Sequence, residues 1–293
     1  MLEINASIAK HKGRIWCCYR TKHLFQYDSK SYITELNADF TPISNRKLTV
    51  ENGNTAFEDV RLFSTGEHLL AFYTYLPRLA SGKWDWIFGV GMGTLDVDKA
   101  CIVKQTSLRP MSKRVHEKNW TPYMFANELF LITDLAPFLR VLKLELNNGK
   151  NLAREHFLST TRTLGWPFGE LRGGTPLLQQ PGDNSGWVYG FAHSYLDNFN
   201  GFKRFYYYTA IRYNHYRKIL EYHPDALGYK DEDPDSEYKK LWHYSNNSEL
   251  KIVFPMGIMY QDDGVLVSFG KDDVCSFTQH FKWQYLKSLF KDS

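Results

Sequence analysis

The chain's 293 residues suffice to bury a large core, as one all-β domain or two smaller ones. A net charge of +4, with no block of Lys or Arg, excludes the electrostatic footprint of a nucleic-acid binder. No apolar stretch approaches the roughly 18 residues of a membrane span, and four scattered cysteines (Cys17, Cys18, Cys101 and Cys275) without a CxxC pair fit neither a disulfide framework nor a zinc site.

Helical periodicity is scarce. Short β-prone runs separated by polar turns recur along the chain. Residues 14–19 (RIWCCY) precede a turn at 27–30 and a run at 32–36; the adjacent Cys17 and Cys18 point to opposite sides of such a strand. Residues 60–63, a turn at 64–67 and residues 68–75 (HLLAFYTY) read as a hairpin, followed by runs at 84–89 and 101–105. Residues 89–93 (GVGMG) read as a Gly-rich turn; no capped helix follows, so a dinucleotide site is not expected. Runs at 120–125 and 129–133 flank a turn at 126–128, and a run at 140–146 ends in Asn-Asn-Gly. Residues 175–179, 187–195 and 204–213 continue the pattern, and 251–260 with 265–270 form the last hairpin. The tail at 277–290 suits a closing strand or a short helix. The polar stretch 225–248, with its acidic cluster at 231–235, reads as a solvated insertion. The N-terminus lacks a charged region followed by an apolar run, so a cytoplasmic setting is expected.

Eight Trp, 19 Tyr and 20 Phe suit packing on the C–H faces of sugar rings, and equally suit a β-rich core. More telling are five segments that put polar residues ahead of or inside a β run. They are Asn5-Ala6-Ser7-Ile8, Glu58-Asp59-Val60-Arg61, Glu117-Lys118-Asn119-Trp120, Arg172-Gly173-Gly174-Thr175-Pro176 and Phe254-Pro255-Met256-Gly257. They recur at roughly 45–80-residue intervals, the mark of a propeller, whose innermost strands line a central channel. Polar groups on those strands converge on one funnel. The expected fold is all-β, a five-bladed β-propeller over residues 1–293 as a single domain. Within the second segment, strand alternation puts Asp59 and Arg61 on one face and turns Glu58 away. Asp59 is a candidate catalytic carboxylate with Arg61 as charge partner or anion ligand; the alternative is a structural ion pair.

These segments, with Arg20, EKNWTPY at 117–123, LRGGTP at 171–176, His193-Ser194 and SFGKDD at 268–273, resemble the five-bladed propeller carbohydrate-active enzymes. The nearest match is glycoside hydrolase family 130, the mannosyl phosphorylases and hydrolases, together with related propeller glycosyltransferases. The resemblance runs in order over nearly the whole chain. It implies one blade per segment and an active site at the channel mouth. It implies that Asp59 matches the general-acid aspartate of a Glu-Asp-Pro-Arg motif, with Val60 in place of Pro. Asn5 and Ser7 match an Asn-Pro-Ser start, with Ala6 in place of Pro. The phosphate-binding basic set of the phosphorylases is matched incompletely.

Arg20, Arg61, Lys118 and Arg172 are the cations on the expected channel strands, each either an anion ligand or half of a salt bridge. Asn5 and Asn119 suit sugar hydroxyls or a bulge. Gly174 admits close backbone approach to a ligand or forms a bulge. His193 falls in register with the set, against the reading of a satisfied core histidine; Asp273 is a substrate-site candidate or a turn residue. Asp96-Val97-Asp98 looks like the metal-binding motif of other glycosyltransferases but needs an α/β fold, so no metal and no cofactor are required. Inverting hydrolysis needs a second carboxylate about 6.5–9.5 Å from the first; Glu117 and Glu58 are candidates, and neither stands out. The expected function is an inverting glycosyltransferase. It would move a sugar from an activated donor, a nucleotide sugar or sugar phosphate, to a glycan acceptor, with Asp59 as acid or base. The alternatives are a phosphorylase or hydrolase of mannoside-type β-glycosides and a non-catalytic sugar-binding propeller.

Overall fold

The computed structural model describes residues 2–23, 26–51, 55–77, 89–108, 119–146, 152–161, 165–199, 202–227, 250–272 and 275–290. Five antiparallel sheets follow one another along the chain as the blades of a β-propeller. Blade 1 holds β1 (Leu2–His11), β2 (Arg14–His23), β3 (Gln26–Leu36) and β4 (Pro42–Lys47) in sequence order. Blade 2 holds β6 (Thr55–Ser64), β7 (Leu69–Pro77), β8 (Gly89–Asp96) and β9 (Cys101–Leu108), and the short β5 (Thr49–Val50) pairs parallel with β9 at its outer edge. Blade 3 is β10 (Thr121–Phe125), β11 (Glu128–Asp134), β12 (Arg140–Glu145) and β13 (Leu152–Leu158). Blade 4 orders β14 (Arg172–Gly173), β16 (Trp187–Phe199), β17 (Phe202–Asn214) and β18 (Ile219–Tyr222). Two short strands add to it: β15 (Leu178–Gln179) on β16, and β19 (Leu250–Lys251) parallel to β17. Among the described residues blade 5 has three strands, β20 (Val253–Gln261), β21 (Gly264–Lys271) and β22 (Cys275–Lys282), followed by helix α1 (Trp283–Ser288). The tail is therefore both a strand and a short helix.

Blade faces pack on blade faces, so both sides of most strands are dry. That is why β21 is buried at every position and why clean polar–apolar alternation is rare in this sequence. Five apolar layers result. Trp16, Cys18 and Ile33 meet Leu62 and Ala71 between blades 1 and 2. Phe72 and Met92 meet Leu131 between blades 2 and 3. Tyr123 and Phe130 meet Val188 and Ile211 between blades 3 and 4. Phe191 and Ala210 meet Val267 and Phe281 between blades 4 and 5. The ring closes on the smallest layer, Ile8, Cys17 and Tyr19 against Met259 and Leu266. Cys17 and Cys18 lie in different layers, as alternation requires. Burial pushes the Cys17 thiol up to about 12.

The glycine-rich segment 89–93 is a correction to the sequence reading. It is strand, not turn. Its glycines leave room for the Tyr73 and Tyr75 rings of the neighbouring strand, which an added Cβ on Gly91 or Gly89 would strike. The expected run at 84–89 lies outside the described residues up to 88, as does the expected insertion from 228 to 248. Among the described residues no helix is long and apolar enough to cross a membrane.

The layer between blades 3 and 4 ends in an aromatic stack. His215 lies on Phe125 with centroids 4.2 Å apart, beside His156 at 5.3 Å, and its Nδ1 is 3.1 Å from the Tyr123 hydroxyl. Burial first, then the charges of Lys218 and His156, push the His215 imidazole from 6.5 down to about 4. The unfolded chain thus binds a proton that the folded chain refuses. This contribution to stability is complete above pH 6.5 and is lost as pH falls towards 4. The urea midpoint is expected to drop between about pH 7 and pH 5, and to drop less in His215→Phe. Equal drops in the two proteins would show that His215 is not the group that titrates.

Candidate functional site

The innermost strands are irregular where the polar segments sit. Glu58 pairs with Thr74 and Arg61 with Phe72, so Asp59 and Val60 together face Tyr73 alone. Ile4 pairs with Arg20 and Ser7 with Cys18, so Asn5 and Ala6 face Tyr19. Each is a β-bulge, which re-aims side chains and interrupts alternation. Asp59 has φ 53° and Asn5 φ 54°, and Asn119, just ahead of β10, has φ 68°. Asn and Asp tolerate this left-handed region better than most residues. Blade 5 carries a register shift between Pro255 and Gly257. In blade 4 the same tight approach is met by Gly173, where a Cβ would collide with the Asn119 carbonyl.

The bulges surround one cavity of about 200 Å³ on the propeller axis. Its polar wall is Asn5, Arg20, Glu58, Asp59, Asn119 and Arg172. His193, Tyr195, Arg204, Tyr206, Ile252 and Phe254 complete it. The volume falls below the roughly 300–1,000 Å³ of sites for drug-sized ligands, so the cavity matches one sugar unit, the reacting part of a larger ligand.

At its centre Oδ1 of Asp59 accepts from Nδ2 of Asn5 at 2.9 Å and lies 3.4 Å from Nε of Arg20. Nη1 of Arg20 donates to Oε2 of Glu58 at 3.1 Å. Arg20 therefore lies between two carboxylates that share the cavity. This corrects the alternation argument on one point. Glu58 does not turn away from Asp59, because the bulge breaks the period of two. Arg20 is a cation at the Asp59 carboxylate in addition to Arg61, on which the Asp59 charge also acts.

Arg61 lies beneath, 2 % exposed. It donates through Nε to the Gly174 carbonyl at 2.7 Å and through Nη2 to Oδ1 of Asn119 at 2.9 Å, and Nη1 reaches the Asp59 carbonyl at 3.5 Å. It thus ties blades 2, 3 and 4 together. Burial lowers its guanidinium to about 10, still cationic at neutral pH. Nδ2 of Asn119 lies 3.5 Å from Nε2 of His193, whose ring meets Phe254 edge-on at 4.3 Å.

Ser7 is fully buried and accepts from the Leu62 amide at 2.9 Å, a stitch between blades 1 and 2 outside the cavity wall. Gly174 acts through its carbonyl on Arg61 and does not line the cavity. Lys118, Glu117 and Asp273 lie outside the described residues. Asp96 and Asp98 sit at the β8–β9 turn, where Lys99 pairs with Asp96 at 2.9 Å and Arg46 donates to the Asp98 carbonyl. Among the described residues no three His, Cys, Asp or Glu side chains are grouped to hold a metal ion.

Sequence reasoning missed Tyr195 and Arg204; Phe254 lies in the fifth polar segment and Tyr206 in a run that reads as strand first and stacking platform second, and neither was placed among the site residues. Arg204 and Tyr206 lie two apart in one strand, as do His193 and Tyr195 in its neighbour, and Tyr195 pairs with Tyr206. Period two along RFYYYTAIRY was the signal available. Arg204 lies over the Tyr195 ring at 4.2 Å and Arg172 at 4.9 Å, so one ring holds two cations at the rim.

No family model and no curated protein sequence matches this chain. Solved structures do. A β-1,2-mannobiose phosphorylase from Listeria innocua, in complex with β-1,2-mannobiose, superposes with TM-score 0.62 at 11 % identity, over 99 % of this chain and 92 % of that one. The five blades are shared. A GDP-Man-dependent mannosyltransferase from Leishmania mexicana gives TM-score 0.61 at 15 % identity, over 96 % and 86 % of the two chains. A structure from work on GH130 mannoside phosphorylases and the hydrolases among them that target β-1,2-mannosidic linkages in Candida mannan gives 0.60 at 14 %, over 97 % and 85 %. At such identities the likeness is one of fold, and the chemistry has to be argued from the cavity itself.

Proposed function

We propose that residues 1–293 form one catalytic domain of a carbohydrate-active enzyme, an inverting glycosyltransferase that uses a phosphate-bearing sugar donor, such as a nucleotide sugar, and a glycan acceptor. The observation that carries this reading is the Asp59 carboxylate, held in a left-handed bulge and flanked by donors, in a funnel with Arg20, Arg172 and Arg204 on its wall. Asn5 and Arg20 offer only donors to Oδ1, which suits an ionised carboxylate, the form a base requires.

In the forward step Asp59 takes the proton from the acceptor hydroxyl. The acceptor oxygen bonds to the anomeric carbon, and the bond from that carbon to the phosphate oxygen breaks. The electron pair leaves with the phosphate, whose charge the arginines neutralise. One displacement inverts the anomeric centre.

A phosphorylase or hydrolase of mannoside-type β-glycosides is the second reading, favoured by Glu58, which places a second carboxylate in the cavity. There Asp59 protonates the departing glycosidic oxygen. The solved structures that share the fold carry names of both kinds.

Incubation with a panel of nucleotide sugars, GDP-mannose included, and neutral oligosaccharide acceptors tests the choice. Acceptor-dependent release of nucleoside diphosphate is expected. No release, with sugar 1-phosphate formed from a β-mannoside and orthophosphate, would establish the phosphorylase instead.

A further inference from the structure

A second and larger cavity, about 520 Å³, opens between blades 1 and 5. Among the described residues blade 1 has four strands and blade 5 three, and there the outer half of blade 1 extends past its neighbour. Thr34 and Leu36 of β3, Asn45 of β4 and Phe40 between these strands form one wall; Cys275, Ser276, Phe277 and Thr278 of β22 form the other. The two cavities share β1 as a partition. Asn5 lines the funnel, and Glu3, Ala6 and Ile8 line the cleft.

The two rooms differ in charge. Three arginines against two carboxylates, Glu58 and Asp59, leave the funnel wall with an excess of one positive charge, whereas the cleft has no Lys or Arg among its lining residues and one carboxylate, Glu3. An anion is therefore repelled there and gains no compensating ion pair. What the cleft offers is hydroxyls and amides set among apolar surface. Burial first, then the charge of Glu3 and a hydrogen bond with it, push the Tyr19 hydroxyl up to about 12 against the opposing hydrogen bond from Asn45, so it remains a neutral donor. Ser268, 1 % exposed, lines the inner end, and its hydroxyl has no hydrogen-bond partner among the described residues. A buried hydroxyl left so is costly unless a ligand or water satisfies it. Phe40 and Phe277 supply ring surface, and Phe277 is held rigid by stacking on Phe269 at 4.9 Å. The volume lies within the range of small-ligand sites.

We infer that this cleft is a second carbohydrate site, taking an uncharged oligosaccharide, while the funnel takes the anionic, phosphate-bearing group. The inference rests on the carbohydrate reading of the funnel. Apolar C–H faces of a neutral sugar pack on the rings, and its hydroxyls meet Ser268, Thr34 and Asn45. Because β1 and β2 each line both cavities, a glycan bound in the cleft lies beside the funnel that would act on it.

The test is calorimetric binding on the full chain. The neutral probes are β-1,2-mannobiose, cellotriose and maltotriose; the anionic probes for the funnel are orthophosphate and GDP. Asn45→Trp fills the cleft from one wall, and Thr278→Trp from the other. At least one neutral probe is expected to bind the wild type, and each tryptophan is expected to weaken it by about tenfold or more. Anion binding and the circular dichroism spectrum should stay as in wild type. Arg20→Ala should weaken the anion and leave the neutral probe within about twofold, as befits separate sites. Oligosaccharide binding that survives both tryptophans, or that is lost in Arg20→Ala alone, places the glycan in the funnel and overturns the cleft. Binding of an anion but of no neutral probe overturns the cleft and leaves the funnel reading standing. Neutral binding that the tryptophans abolish, with no anion bound at all, supports the cleft and removes the funnel reading.

Discussion

Asp59→Asn is expected to lower kcat by about 10²–10⁴-fold, the usual share of a positioned acid or base, with sugar binding changed little. Asn is the exchange that isolates the chemistry. It has the same shape and tolerates the φ of 53° at this position, and its amide oxygen still accepts from Asn5. What it cannot do is hold a transferable proton. The folded protein should therefore melt within about 2 °C of the wild type, since exchanges that preserve packing and hydrogen bonds sit near ±0.5 kcal/mol. The pH profile sharpens the result. A base must be ionised, so the wild-type rate should rise as pH climbs through the carboxylate's titration, and the residual rate of Asp59→Asn should lack that limb. Turnover unchanged in Asp59→Asn would remove this residue from the mechanism and leave Glu58 as the carboxylate in the cavity.

Arg61→Met is expected to destabilise the fold by about 3–5 kcal/mol, the range for removing one partner from a buried charged network. Methionine fills much of the volume but donates nothing. The Gly174 carbonyl and Oδ1 of Asn119 are then left buried without their donor, and the Asp59 carbonyl loses its contact. These groups belong to three different blades, so the loss loosens the inner ring where it positions Asp59, Asn119 and the β14 segment. A drop in Tm of roughly 10 °C follows from the size of the chain. Arg61→Lys should recover less than half of it, because one ammonium cannot reproduce the guanidinium fork. A drop under about 3 °C in Arg61→Met would show that the clamp is dispensable, and Arg61 would then be open to a role in ligand binding.

The two expectations show how differently fold and site were written in the sequence. Blade sequences such as LLAFYTY and GVLVSFGK carry β-branched and aromatic residues that announce strands regardless of what they pack against. The five polar segments announced their own recurrence, and hence the number of blades. Strand β13 was not legible: LAREHFL has charges and an exposed face, as an outer strand does, and nothing in it separates edge strand from loop. The glycines of β8 were misread because glycine usually marks a turn, and the tyrosine rings that require them lie on another strand.

The site was legible in composition and not in direction. Asn5, Asp59 and Asn119 could be singled out because a polar residue at a strand start is unusual, but which side each faced depended on bulges. One inserted residue reverses alternation, and whether it is inserted depends on the register against the next strand. By itself the sequence determined the all-β character, the five recurring units and the residues from which a funnel is made, because these follow from local preference and spacing. Only the tertiary structure decided that Arg20 lies between Glu58 and Asp59, that Arg61 is a buried clamp, and that a cleft lies between blades 1 and 5 beside the funnel. Each of these depends on how separate strands pair and pack, and pairing between distant segments is a property of the closed ring.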